Sequence, residues 1–165
     1  MSTRQQAETN IKIVRRSMEA LNAGDTSSAP EFIHPDYFNH ESQASPERAK
    51  LRGPDEFIDT VNKLRAAFSD LHYEEQESIA SDDKVVSIMT VTGKHTGDFF
   101  GISPSGRSFS YKAVHISRIA DGKIVEHYAV RDDLRFMMQL GIIGAASPQY
   151  EPIFNAWKGM IGADA

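Results

Sequence analysis

The stretch SFSYKAVHISRIADGKIVEHYAVRDD, residues 108–133, decides the fold. Its two halves are rich in Val, Ile and aromatic residues and meet at Asp121-Gly122, which reads as a β-hairpin. Side chains alternate across a strand, so the length of the loop fixes where His115 and His127 point. A two-residue Asp121-Gly122 turn would set His115 opposite Tyr128, leaving the two histidines on different faces. A three-residue loop of Ala120, Asp121 and Gly122 sets His115 directly opposite His127. The longer loop is favoured, because Ala and Asp fit the centre of a type I turn and Gly122 then takes the left-handed bulge position. One face of the hairpin then carries Ala113, His115, Ser117, Val125, His127, Ala129 and Arg131, a mixture that suits a pocket wall better than a dry core.

Upstream of the hairpin, Leu71 to Ala80 and Lys84 to Gly97 have the same β-rich composition. The turn clusters Ser81-Asp-Asp83 and Ser103-Pro-Ser-Gly106 separate the runs. With the hairpin they predict four consecutive antiparallel strands. The chain before them is helical in pattern. Ala7, Ile11, Val14, Met18 and Leu21 recur at three and four residues after a capping box at Thr3-x-x-Gln6, and Asn22-Ala-Gly24 ends the run. Gly53-Pro54-Asp55 opens a second helix with a stripe of Phe57, Val61, Leu64 and Phe68. Between them, Pro30 to Pro35 reads as a turn and Tyr37 to Arg52 as an irregular segment. A last helix is expected from about Asp132 to Leu140, stopping at Gly141, and a short one somewhere in Ser147 to Met160. Helices first and a strand meander after them predict an α+β architecture, with N-terminal helices packed on one face of a curved antiparallel sheet.

Composition sets the outer limits. At 165 residues the chain should form one domain that buries roughly 70% of its unfolded surface, with no need of a disulfide or structural metal. With no cysteine, thiol catalysis and cysteine-ligated metal centres are excluded. The net charge of −5, without a run of Lys or Arg, argues against nucleic acid as a partner. No segment is apolar for about 18 residues, and the N-terminus lacks the apolar centre of a signal peptide, so a cytoplasmic protein without a membrane span is expected.

Several short motifs, each weak alone, form a specific combination: Gly93-Lys-His-Thr-Gly97, Gly101-Ile-Ser-Pro-Ser-Gly-Arg107, Val114-His115, Asp121-Gly-Lys-Ile-Val-Glu-His127 and Gln139-Leu-Gly141. Together they resemble the SnoaL-like polyketide cyclase family, within the nuclear transport factor 2-like superfamily. The resemblance covers about residues 8 to 143 of a single domain spanning 1–165, leaving 144–165 as a C-terminal extension. It implies a cone-shaped α+β barrel with an internal pocket, a hydrophobic carbonyl-containing small molecule as substrate, intramolecular aldol closure without cofactor or metal, and assembly as a homodimer or larger homo-oligomer. In that family an aspartate two residues after the histidine of the last strand shuttles the proton, and a glutamine two residues before the other histidine assists. Here those positions are Ala129 and Ala113, and His115 is the member of the set that carries over.

The candidate catalytic residues are therefore His115, His127 and Asp132. An imidazole titrates near neutrality, and Asp132 stands where a strand gives way to a helix, so it is either an acid–base group or a helix cap. Tyr37, Asn39, His40, His95, Tyr111, Ser117 and Arg131 are candidate substrate contacts, while His34 and His72 read as structural or exposed. No metal-ligand spacing is present. An isomerase-like reaction by the same acid–base groups is the other form of the leading reading, and two further functions stay open: epoxide-type hydrolysis by Arg131 and Asp132, and a non-catalytic binding or assembly protein that has lost the family aspartate.

Overall fold

In the computed structural model, residues 3–44 and 48–143 are described. The short helix expected within Ser147 to Met160 lies outside them. Helix α1 spans Thr3–Ala23, so Thr3, the residue expected to cap it, lies within the helix. A single turn of helix, α2 (Ala29–Phe32), leads into strand β1 (Ile33–Asn39), and a 3-10 turn over His40–Ala44 follows. Helix α3 spans Gly53–Ala67. The meander comprises β2 (Phe68–Ser81), β3 (Lys84–His95), β4 (Ser108–Ala120) and β5 (Lys123–Arg131), closed by α4 (Asp133–Gln139).

The sheet order is β1-β5-β4-β3-β2. The four expected strands are antiparallel neighbours, and a fifth, β1, pairs in parallel with β5. This corrects the irregular segment read at Tyr37. Pro35 has no N–H to give a ladder, and the β1–β5 register shifts between Ile33 and Phe38, so the two-residue alternation that marks a strand is broken. The sheet is curved and unclosed, and the N-terminal helix packs on it, chiefly against β2.

Side-chain hydrogen bonds fasten α1 and α4 to the sheet and α3 to α1. Asn22 in the last turn of α1 exchanges two bonds with the backbone of Tyr73 in β2, at 3.0 and 2.8 Å. The Arg65 guanidinium of α3 caps the α1 carbonyls of Leu21 and Asn22 at 3.2 and 2.9 Å. Gln139 of α4 accepts from the Ser110 amide of β4 at 2.8 Å. Between helices and sheet, the core gathers Val14, Phe32, Ile33, Val61, Met89 and Val91. The burial of each such side chain stabilises the fold by roughly 1.5–3 kcal/mol before entropic costs.

Two glycines explain the 93–97 motif. A Cβ on Gly97 would stand 1.9 Å from the Ala66 carbonyl oxygen, and one on Gly93 would stand 2.7 Å from the Phe109 ring. The motif thus lets β3 pass close to the end of α3 and under an aromatic side chain of β4.

Candidate active site

The hairpin turn differs from the expected one. Asp121 and Gly122 both have positive φ, 49° and 72°, and Ala120 pairs with Lys123, so the loop has two residues rather than three. A bulge then intervenes, because Ile119 pairs with Ile124 while Arg118 pairs with Glu126. The extra residue, Val125, restores the parity that the short turn would have reversed. Ser117 consequently stands opposite His127, and His115 stands opposite Ala129. The expected direct pairing of His115 with His127 is thereby corrected to a diagonal one, although the two histidines do share a face.

That face forms part of the wall of a cavity of about 670 Å³, a volume within the range that holds small multi-ring ligands. Its apolar lining includes Leu21, Ile33, Phe57, Phe68, Phe99 and Phe136. Of the candidate residues, His115, His127, Tyr37, Asn39, Tyr111, Ser117 and Arg131 line it. Glu41, Tyr73 and Asp133 line it as well, and no motif or spacing singles them out.

A buried chain of hydrogen bonds fixes the protons at the centre of the site. The Asn39 amide nitrogen donates to Glu56 Oε1 at 3.0 Å, and Asn39 Oδ1 accepts from the backbone N–H of Glu41 at 3.1 Å. Both contacts set the amide the same way round. His127 Nδ1, 3.0 Å from Asn39 Oδ1, must therefore carry its proton and donate it. A neutral His127 then offers Nε2 as an acceptor, so His115 Nδ1, 2.9 Å away, is the donor there. The proton-free nitrogen of a neutral His115 is Nε2, which is buried and has no hydrogen-bond partner among the described residues. Parallel pairing of Asn39 with His127 places the amide, and Glu56 reaches it from the first turn of α3.

Electrostatics keeps both rings neutral. Burial is the main cause for each, holding both histidines well below their usual range. For His115 the neighbouring His127 and Arg131 push in the same direction and Glu41 opposes them; for His127, Arg131 and His40 add to burial. Burial likewise pushes the Tyr73 phenol up to about 12 and the Tyr37 and Tyr111 phenols well up, so these hydroxyls stay protonated and able to donate.

A family model described as SnoaL-like polyketide cyclase matches residues 11–140. The chain belongs to the SnoaL-like polyketide cyclase family. It is similar to the aklanonic acid methyl ester cyclase DnrD of Streptomyces peucetius, with 40% identity over 81% of this chain and 91% of that one. To the nogalonic acid methyl ester cyclase of Streptomyces nogalater it is 36% identical, over 75% and 91%. Among solved structures, TsrD from Streptomyces laurentii superposes with a TM-score of 0.73 at 27% identity, covering 82% of this chain and 97% of that one.

Three candidate residues of this cyclase lie away from the cavity lining. Asp132 caps α4, accepting from the Arg135 amide at 3.1 Å, since the strand ends one residue earlier and the helix amides need an acceptor. Among the described residues, Arg131 pairs with Glu41 Oε2 at 3.0 Å and Asp133 Oδ1 at 3.2 Å rather than with Asp132. His40 stacks on Tyr128 with ring centroids 3.7 Å apart, turned from the cavity because β1 has ended at Asn39. His95 is fully buried at the end of β3, where its Nδ1 accepts from the Ser105 amide at 3.2 Å and its ring packs on Phe68. It orders the loop that follows β3. Among the described residues, no three His, Cys, Asp or Glu side chains converge in the manner of a metal site, and no helix is long and apolar enough to cross a membrane.

Proposed function

We propose that this cyclase closes a ring in a neutral, carbonyl-rich polyketide ester by intramolecular aldol addition, with His115 as the base. The observation that supports the reading is the order of protons along the chain from Glu56 to His115, which leaves Nε2 as a buried, unpartnered lone-pair acceptor on a histidine that lines the cavity. Its Nδ1–H stays bonded to His127 throughout, so the ring keeps one tautomer and one orientation. The α-proton of an active methylene passes to Nε2, and the enolate carbon attacks a ketone carbonyl elsewhere in the same molecule. A carbon–carbon bond forms, and the resulting alkoxide takes the proton back from Nε2. Nothing is oxidised and no group leaves, so the product is an isomer of the substrate.

The lining supports an esterified rather than a free acid, because Arg131, one of two cationic residues among the described lining, is already neutralised by Glu41 and Asp133. The methyl esters on which the named relatives act have this character. Turnover of aklanonic acid methyl ester and nogalonic acid methyl ester by the purified protein is the test. His115→Ala is expected to lower kcat at least about a hundredfold. Unchanged turnover in that variant would overturn the assignment.

A cytoplasmic, single-domain protein that assembles as a homodimer or larger homo-oligomer completes the proposal. Tyr128 and Val130, 40% and 68% exposed, leave apolar surface on the outer face of β5. Light scattering behind size-exclusion chromatography checks the assembly.

A further inference from the structure

Ring closure by His115 requires a neutral imidazole to become a cation inside a buried wall. Burial opposes that charge, and so do the guanidinium of Arg131 and the neighbouring imidazole. Something in the cavity has to stabilise it for as long as the enolate exists. The strand that faces His115 offers no such group, since its cross-strand partner is Ala129.

Glu41 reaches the cavity wall from outside the strand, and it is the group whose charge favours a protonated His115. Strand β1 ends at Asn39, which leaves the Ala129 amide beyond the β1–β5 ladder, and Glu41 Oε1 accepts from that amide at 3.0 Å. Because the Ala129 N–H points towards Glu41 and away from β4, His115 and Ala129 form a non-hydrogen-bonded antiparallel pair, the kind whose side chains lie closest. A methyl group at 129 leaves that space open. The carboxylate is further held by Arg131 Nη1 at 3.0 Å, and the backbone N–H of Glu41 donates to Asn39 Oδ1, so Glu41 is tied to the chain that orders the two histidines. It lines the cavity.

We propose that Glu41 supplies the carboxylate of this active site, anchored on the backbone of residue 129 and serving as countercharge to the His115 imidazolium during ring closure. Glu41 is thus a positioning residue acting through His115, and the inference rests on the aldol reading above. The enolate and the imidazolium form together, and the negative charge of Glu41 favours that pair over the neutral ground state. The effect belongs to kcat rather than to KM.

The test compares wild type, Glu41→Gln, Ala129→Asp/Glu41→Gln and His115→Ala with the two methyl esters. Glu41→Gln keeps the acceptor for the Ala129 amide but removes the charge; kcat is expected to fall tenfold or more with KM changed less than threefold and the melting temperature kept. Restoring a carboxylate at position 129 in the double variant is expected to recover at least a third of the wild-type kcat. Two results would overturn the proposal: a Glu41→Gln kcat within twofold of wild type, or a folded double variant no faster than Glu41→Gln. If Glu41→Gln is unimpaired while His115→Ala is inactive, the countercharge alone fails. If wild type converts neither ester, the aldol reading fails with it.

Discussion

Asn39→Asp tests the proton order on which the site depends. The substitution keeps the shape and the acceptor facing His127 but replaces the amide nitrogen, 3.0 Å from Glu56 Oε1, with oxygen. Asn39 and Glu56 are both buried, so two carboxylates would face one another with little water between them. They cannot both ionise there, and the variant must take up one proton on folding, whether it resides on either carboxylate or on His127. Holding a proton on an ordinary carboxylate of pKa near 4 at pH 7 costs about 4 kcal/mol, at about 1.4 kcal/mol per pH unit. For a chain of this size that corresponds to a melting temperature lowered by roughly 8–16 °C at neutral pH. The gap to wild type should narrow by about 1.4 kcal/mol for each unit of acidification. Thermal and urea unfolding between pH 5 and pH 8 measure it. A variant as stable as wild type at pH 7, with no relative gain in acid, would mean that Glu56 already carries a proton and donates to Asn39. The tautomer assigned to His115 would then be reversed.

Wild-type stability should itself fall in acid, because both buried histidines are held below the ordinary value near 6.5. Below that pH the unfolded chain binds protons that the native site refuses, so each contributes a loss of up to about 1.4 kcal/mol per pH unit, fully absent above it. His127→Gln should roughly halve this slope, and an unaltered slope would show that the ring is charged in the native protein. Asp132→Ala should remove a helix cap and about 1 kcal/mol of stability by urea unfolding; a hundredfold loss of turnover would instead return Asp132 to the chemistry. Gly97→Ala should destabilise by about 3 kcal/mol or more, since its methyl would meet the Ala66 carbonyl, and a neutral result would mean that this approach of β3 to α3 is looser than described.

The meander was legible because each of its strands is continuous and its turns carry Asp, Gly and Pro where a turn needs them. β1 was not, because Pro35 and a register shift break its alternation. The hairpin is an instructive mixture. Asp121-Gly122 signals a two-residue turn, yet the bulge at Val125 leaves no mark in composition, so the shared face of His115 and His127 was correctly expected from a loop that does not form. Asn39 was readable as a polar residue near the pocket, and its relay role was not. That role depends on a parallel pairing with His127 and on Glu56, a helix residue whose burial follows from tertiary packing alone. Ala129 marked a missing group, but nothing local to the hairpin indicates that the carboxylate arrives from Glu41.

The parallel ladder between β1 and β5 also has a kinetic meaning. Asn39 and His127 are separated by 88 positions, and β2, β3 and β4 are all made between them. During synthesis the site cannot exist until β5 has left the ribosome and the strand made first has returned to it, a closure over long range that comes late in folding. Enzymatic activity regained after dilution from denaturant should therefore trail the recovery of β-sheet signal, and a nascent chain stopped before residue 127 would hold most of the sheet with no base in working order.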